Sequence, residues 1–379
     1  MTAIPPIDLT QQFQTIQDEV GAAVMQVLAS GQYINGPVVE AFAKAFGEYV
    51  GTSECVVCNS GTDALYLALR ALNIGAGDEV ITSPFTFIAT AEMISAVGAT
   101  PVFVDIDLDT FNFDVQKLES AITERTRAIM PVHLFGQPVN MDAVMAVANQ
   151  HQLVVIEDCA QATGATWGGR QVGSIGHVGA FSFFPTKNLG GCGDGGALTT
   201  SDPAIQEKAR VLREHGSRVR YYHEEIGVNS RLDAVQAVIL QIKLRYLNEW
   251  NVRRAAVAEE YERLLGSIPG IITPQPTLGG IPVWNQYTIR LEAAQQDGAV
   301  RDRIRQHMQA QGVLPMVYYP LPLHLQPVYA HLGYAPGSLP QAEQASRQVL
   351  SLPMFPELTL DQQTKVVYSL KEALLQEGS

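Results

Sequence analysis

From Glu54 onward, short apolar runs alternate with amphipathic stretches: ECVVC then DALYLALRAL, EVITS then FIATAEMISAV, TPVFVDI, RAIMPVHLF then MDAVMAVANQ, and LVVIED. Short apolar runs bounded by turn-forming residues predict buried strands, and apolar positions three and four apart predict helices packed against them. This alternation predicts an α/β fold with a mostly parallel central sheet flanked by helices. GAFSFFPT and GGALTTSD complete the predicted sheet. In such a sheet, ligands bind beyond the carboxyl ends of the strands.

Helices dominate after the sheet. The long amphipathic run DAVQAVILQIKLRYLNEWNVRRAAVAEEYERLLG reads as a connector, followed by the Pro- and Gly-rich SIPGIITPQPTLGGIP, a strand in VWNQYTIRL and two further helices. A smaller C-terminal α+β domain is therefore expected, with 1–260 as the large domain and 261–379 as the small one. One N-terminal helix, roughly 11–30, could pack on either.

Composition narrows the function classes. The 379 residues are 46% hydrophobic and 17% charged, with 25 Lys+Arg against 38 Asp+Glu, a net charge of −13. An acidic chain without a basic patch makes neither nucleic acid nor an anionic membrane an expected partner. The opening MTAIPPIDLTQQFQ lacks a basic and then apolar leader, and no apolar run approaches about 18 residues, so a cytoplasmic location is expected. Cys55 and Cys58 form a single C-x-x-C in a strand-like run, a pattern better suited to core packing than to zinc. No metal site is expected.

The chemistry concentrates between Val154 and Ala197. Asp158 ends one apolar strand, and Lys187 follows another in FFPTKNLGG. A lysine in apolar, glycine-flanked surroundings is poorly solvated as a cation, which makes its amine nucleophilic and suited to Schiff-base formation. An aspartate beside it suits the pyridine nitrogen of pyridoxal 5'-phosphate (PLP), because an anion there keeps the ring protonated. Asn59-Ser60-Gly61-Thr62-Asp63 joins a strand to a helix, where free N–H groups and the helix dipole could hold a phosphate. Read alone, Ser60 is better explained as a helix cap, Asp158 is equally a turn cap, Phe87 is more often a core residue, and Gln161 has a surface or peripheral amide as its alternative.

N-S-G-T-D-A-L, S-P-F-T-F-I-A-T, V-I-E-D-C-A-Q-A-T-G-A, F-S-F-F-P-T-K-N-L-G and G-V-N-S-R-L-D, in this order, resemble the DegT/StrS family of PLP-dependent nucleotide-sugar aminotransferases. The resemblance extends from INGP to LSLPMFPELT and implies the PLP-dependent transferase fold type I. It implies Lys187 as the Schiff-base lysine, Asp158 as partner of the ring nitrogen, Gln161 near the ring hydroxyl and Phe87 on the ring face. Gly61, Thr62 and Ser182 would hold the cofactor phosphate, joined by Asn229 from the neighbouring subunit of a homodimer. Lys187 separates the chain from the branch that carries histidine there and performs deoxygenation.

YYPLPLHLQ, with Tyr318, Tyr319 and His324, is similar to the segment in members that aminate C3 of a 3-keto nucleotide sugar, such as a UDP-2-acetamido-3-keto uronic acid or a dTDP-3-keto sugar. Arg231 is similar to an arginine near substrate and could meet a carboxylate through its planar fork. The implied partners are a nucleotide-linked keto sugar and an amino donor, L-glutamate. The alternatives are C4 amination of a 4-keto-6-deoxy sugar and a PLP-binding regulatory protein without turnover. A dinucleotide oxidoreductase would require a G-x-G-x-x-G that CNSGTDAL does not supply.

Overall fold

The computed structural model describes residues 3–377. Its central sheet contains β1 (Glu54–Cys58), β2 (Glu79–Thr82), β3 (Thr100–Phe103), β4 (Thr126–Met130), β5 (Val154–Asp158), β6 (Val178–Ser182) and β7 (Gly196–Thr200). Their spatial order is β1-β7-β6-β5-β4-β2-β3, and every neighbouring pair is parallel except the two made by β7. The mostly parallel α/β sheet is therefore as the sequence pattern predicts. Because β7 returns antiparallel to β6, residues 183–195 double back across the carboxyl edge of the sheet and carry Lys187 over it.

Strands β2, β6 and β7 are buried at every position, as expected where helices cover both faces. Successive residues feed opposite cores: Val57, Phe181 and Ala197 join Phe42 and Phe46 on one face, while Val56, Ala180 and Leu198 join Leu65 and Leu69 on the other. Phe46 meets Phe181 edge-on, with ring centroids 5.0 Å apart. Burial of each such phenyl group contributes about 1.5–3 kcal/mol.

The connector is one 32-residue helix, Ala234–Leu265. Its first half packs Ala237, Leu240 and Leu247 into a core of the central sheet. Its last turns put Val257, Tyr261 and Leu265 into a second core with Tyr287, Ile289 and Leu370. Around that second core stand a three-stranded antiparallel sheet (Ile271–Ile272, Tyr287–Leu291 and Val349–Leu352) and the helices Gly298–Ala310 and Leu360–Glu377.

The single N-terminal helix expected over 11–30 is instead two helices, Leu9–Gln14 and Gln17–Ser30. Thr15 Oγ1 donates to the Gln12 carbonyl at the break. The second packs Val20 against Ile239, Ile242 and Trp250 of the long helix. Before them Ile4 pairs with Val313 and enters the second core.

All four cysteines are free thiols, with Cys58 fully buried and pushed up to about 12 by that burial. Among the described residues, no helix is long and apolar enough to cross a membrane.

Candidate active site

A cavity of about 470 Å³ opens where the carboxyl ends of the central strands face Tyr318 and Tyr319 of the C-terminal part of the chain. Strand β1 leads through Ser60 into the helix Gly61–Ala71, and the Ser60 Oγ accepts from the Asp63 N–H at 3.0 Å. That cap satisfies the Asp63 N–H, and Gly61 and Thr62 of the same first turn line the cavity. Ser182, the last residue of β6, lines the same wall and touches the position where a Gly61 Cβ would stand. Helix dipole, small hydroxyls and a missing Cβ make this end of the cavity an anion cradle.

Asp158 ends β5 and is 4% exposed. Its Oδ1 accepts from the Ala160 N–H at 3.1 Å and its Oδ2 from the Thr90 hydroxyl at 2.8 Å. Burial pushes the carboxyl above the ordinary carboxylate range; the Ala160 and Thr90 hydrogen bonds and the charge of Lys187 oppose that rise. The turn reading and the cofactor reading of Asp158 are thus compatible, because the Ala160 contact uses one oxygen only.

Lys187 lies in the doubling-back segment, where its N–H donates to the Phe184 carbonyl at 2.9 Å. The next residue anchors this turn. Asn188 Nδ2 donates to Asn251 Oδ1 at 2.7 Å and to the Val283 carbonyl at 2.8 Å, and Asn285 Nδ2 donates to Asn188 Oδ1 at 2.8 Å. Burial lowers the Lys187 amine to about 8, with Asp158 acting in the opposite direction.

Gln161 Oε1 accepts from the Phe135 N–H at 2.6 Å, while its Nε2 donates to the Tyr319 hydroxyl at 3.3 Å. Phe87 is 58% exposed at the cavity edge. It is therefore no core residue, and its ring is free to cover a planar ligand.

The structure thus brings together Gly61, Thr62, Phe87, Asp158, Gln161, Ser182, Lys187 and Tyr319. It does not bring Asn229, Arg231 or His324 to this cavity within one chain. Asn229 pairs with Glu214 outside it. Arg231 donates from Nη1 to Glu214 Oε2 at 3.0 Å and lines a separate cleft of about 1070 Å³. His324 is fully buried; its Nε2 lies 3.1 Å from Glu343 Oε1 and its ring meets Tyr334 edge-on.

Sequence reasoning missed Thr86, Thr90 and Gln286, which also line the cavity. The i, i+4 spacing of the two threonines within SPFTFIAT was the available signal. His133, at the end of the RAIMPVHLF run, is fully buried and does not line the cavity. Its Nδ1 accepts from the Val139 N–H and its Nε2 pairs with Glu157, each at 3.0 Å. His133, Glu157 and Cys159 form a compact buried cluster, but these hydrogen bonds already occupy the imidazole.

The donor set fits pyridoxal phosphate. An anion cradle, a buried carboxylate, an amine of lowered basicity and an exposed aromatic face are the groups required by its phosphate, ring nitrogen, aldehyde and ring plane.

Comparison with known proteins gives the same family. The model of the DegT/DnrJ/EryC1/StrS aminotransferase family matches residues 14–371. A pleiotropic regulatory protein of Geobacillus stearothermophilus is 47% identical, with 97% of this chain and 98% of that protein covered. The dTDP-3-amino-3,4,6-trideoxy-alpha-D-glucose transaminase of Streptomyces venezuelae is 46% identical, covering 97% and 96%. The UDP-N-acetyl-3-dehydro-alpha-D-glucosamine 3-aminotransferase of Acidithiobacillus ferrooxidans is 45% identical, covering 98% of each. Among solved structures, S. venezuelae DesV in complex with a ketimine intermediate superposes with a TM-score of 0.94 at 46% identity, covering 98% of both chains. With its strand-end cavity holding Lys187 against Asp158, the chain belongs to the DegT/DnrJ/EryC1/StrS aminotransferase family.

Proposed function

We propose that this protein is a PLP-dependent aminotransferase that places an amino group on C3 of a nucleotide-linked keto sugar. The observation that carries the C3 assignment is that two relatives of nearly full length, one named for a dTDP sugar and one for a UDP sugar, share amination at C3. The nucleotide and the other ring substituents differ between them, so the shared position is the part that transfers.

When bound, the cofactor supplies an aldehyde that carries the amino group and a pyridinium ring that withdraws electrons from the reacting carbon. Lys187 is the amine that holds the aldehyde at rest. Its amine, held at about 8 by burial, would once freed be the group that moves the proton between the donor Cα and the cofactor C4′. Asp158, which lines the same cavity, would face the ring nitrogen as an anion and keep it protonated. The first turn at Gly61 and Thr62, with Ser182, would hold the phosphate, while Phe87 would cover the ring. Gln161, already fixed by Phe135, would present its amide to the ring hydroxyl.

L-glutamate is the proposed amino donor. The proposed active unit is a homodimer in which a second copy supplies Asn229, because within one chain that residue lies outside the cavity. The proposed location is the cytoplasm, where nucleotide sugars are made.

The test is an assay of the PLP-loaded protein with L-glutamate against matched 3-keto and 4-keto sugars on dTDP and UDP. Turnover confined to the 4-keto substrates overturns the C3 assignment. The relative named as a regulatory protein favours a second reading, cofactor binding without turnover; tight PLP binding with no amination of any substrate in the panel would support it.

A further inference from the structure

Thr90 lies in the first turn of the helix Ala89–Ala96, and its side chain is 1% exposed. Its hydroxyl donates to Asp158 Oδ2 at 2.8 Å. A second hydroxyl, Thr86 Oγ1, lies 3.2 Å from Thr90 Oγ1. A hydroxyl has one proton and an ionised carboxylate only accepts, so with Asp158 anionic the Thr90 proton is committed to it. The Thr86 hydroxyl must then be the donor between the threonines. The Ala160 N–H holds the other carboxylate oxygen.

We infer that Thr90, itself held by Thr86, is a positioning residue that fixes the plane of the Asp158 carboxylate and keeps it anionic opposite the cofactor ring nitrogen. This inference rests on the proposed role of Asp158. Donors on both oxygens remove the carboxylate's freedom to rotate, leaving its remaining lone pairs aimed in one direction. They also offset the cost of an anion in a buried place, since hydrogen bonds to the charged form favour it. Burial raises the Asp158 carboxyl, and Ala160, Thr90, Lys187 and His133 each pull it back, so Thr90 contributes one of four opposing influences. A threonine serving only as a helix residue would not need its hydroxyl aimed at an acid 68 positions away.

The experiment uses the PLP-loaded enzyme with a nitrogen-15 label in the cofactor ring. Thr90→Val keeps the shape and removes the donor, Thr90→Ser restores the donor, and Asp158→Asn is the reference. For Thr90→Val we expect the ring nitrogen to lose its proton at a pH lower by about one unit or more. Turnover should fall roughly 10- to 100-fold, because a hydrogen bond to a charged group is lost, with a smaller change in KM. Thr90→Ser should recover most of both. An unchanged ring-nitrogen titration in Thr90→Val, or failure of serine to recover it, overturns the inference. If Thr90→Val does not fold, Thr86→Val must shift the titration in the same direction by a smaller amount, and no shift overturns the inference. Loss of neither ring protonation nor turnover in Asp158→Asn would instead overturn the role of Asp158.

Discussion

Gly61 and Ser182 approach so closely that a Cβ on the glycine would lie 2.6 Å from the serine Cβ and 3.0 Å from its Cα. One residue begins a helix and the other ends β6, so their contact sets the gap at the proposed phosphate site. Gly61→Ala has to push the helix from the strand. The expected cost is about 1–3 kcal/mol of stability and about tenfold or more in PLP affinity. Fluorescence titration with the cofactor, alongside thermal melting, checks both; wild-type affinity in the alanine variant would remove Gly61 from the phosphate site.

Lys187 gives the cofactor-free protein a pH dependence of defined sign. Its amine is held at about 8 when folded, against a usual value of 10.5. Between those values the unfolded chain binds more protons than the folded one, so stability rises with pH across the window. Lys187→Met should therefore melt higher than wild type at neutral pH, and the difference should close as the pH approaches about 10.5. A constant difference in melting temperature would contradict the buried amine. Borohydride reduction of the PLP-loaded wild type, followed by peptide mapping, should label Lys187 and no other lysine.

Asn229 can serve the cofactor only if it comes from another copy of the chain. Mixing Lys187→Ala with Asn229→Ala under conditions that exchange subunits should restore activity, since mixed dimers contain one intact composite site. Absence of recovery after proven exchange would mean that each site is built from one chain.

Arg231 is held by Glu214, which also accepts from Asn35 Nδ2 at 3.0 Å. If a second copy turns this arginine toward a sugar carboxylate, Arg231→Lys should penalise a uronic acid substrate more than its C6-hydroxyl analogue, by about tenfold or more. Measured kcat/KM on the pair decides the matter. Equal losses would leave Arg231 as the partner of Glu214 alone.

The residues legible in the sequence were those whose chemistry coincides with a strand end. Asp158 and Lys187 stand out because an ionisable group beside an apolar run is unusual, and the small residues around Gly61 mark a strand-to-helix turn. Thr90 left one local sign, its i, i+4 spacing from Thr86, but its partner is distant along the chain and a threonine within FIATAEM reads as an ordinary helix residue. Gln286 was missed for a related reason: it follows the strand-like VWN, and nothing local says that the turn faces a cavity. His324 is a different case: a histidine among prolines invites a binding role, and nothing local indicates that within one chain its imidazole is buried against Glu343 and Tyr334. The break at Thr15 was hidden because the apolar spacing continues through it. Ile4 could not be assigned to a core by periodicity, as its partners lie near residue 313 and beyond.

The helix Ala234–Leu265 has one further consequence. Its early residues are keyed into the central sheet and its late residues into the core beside Tyr287. An α-helix turns by about 100° and advances about 1.5 Å with each residue. One residue inserted near its midpoint would swing the C-terminal part of the molecule around the helix axis by that angle, carrying Tyr318 and Tyr319 away from Lys187. Length variation among related chains should therefore be absent from the middle of this helix and be tolerated in the surface turns on either side of it.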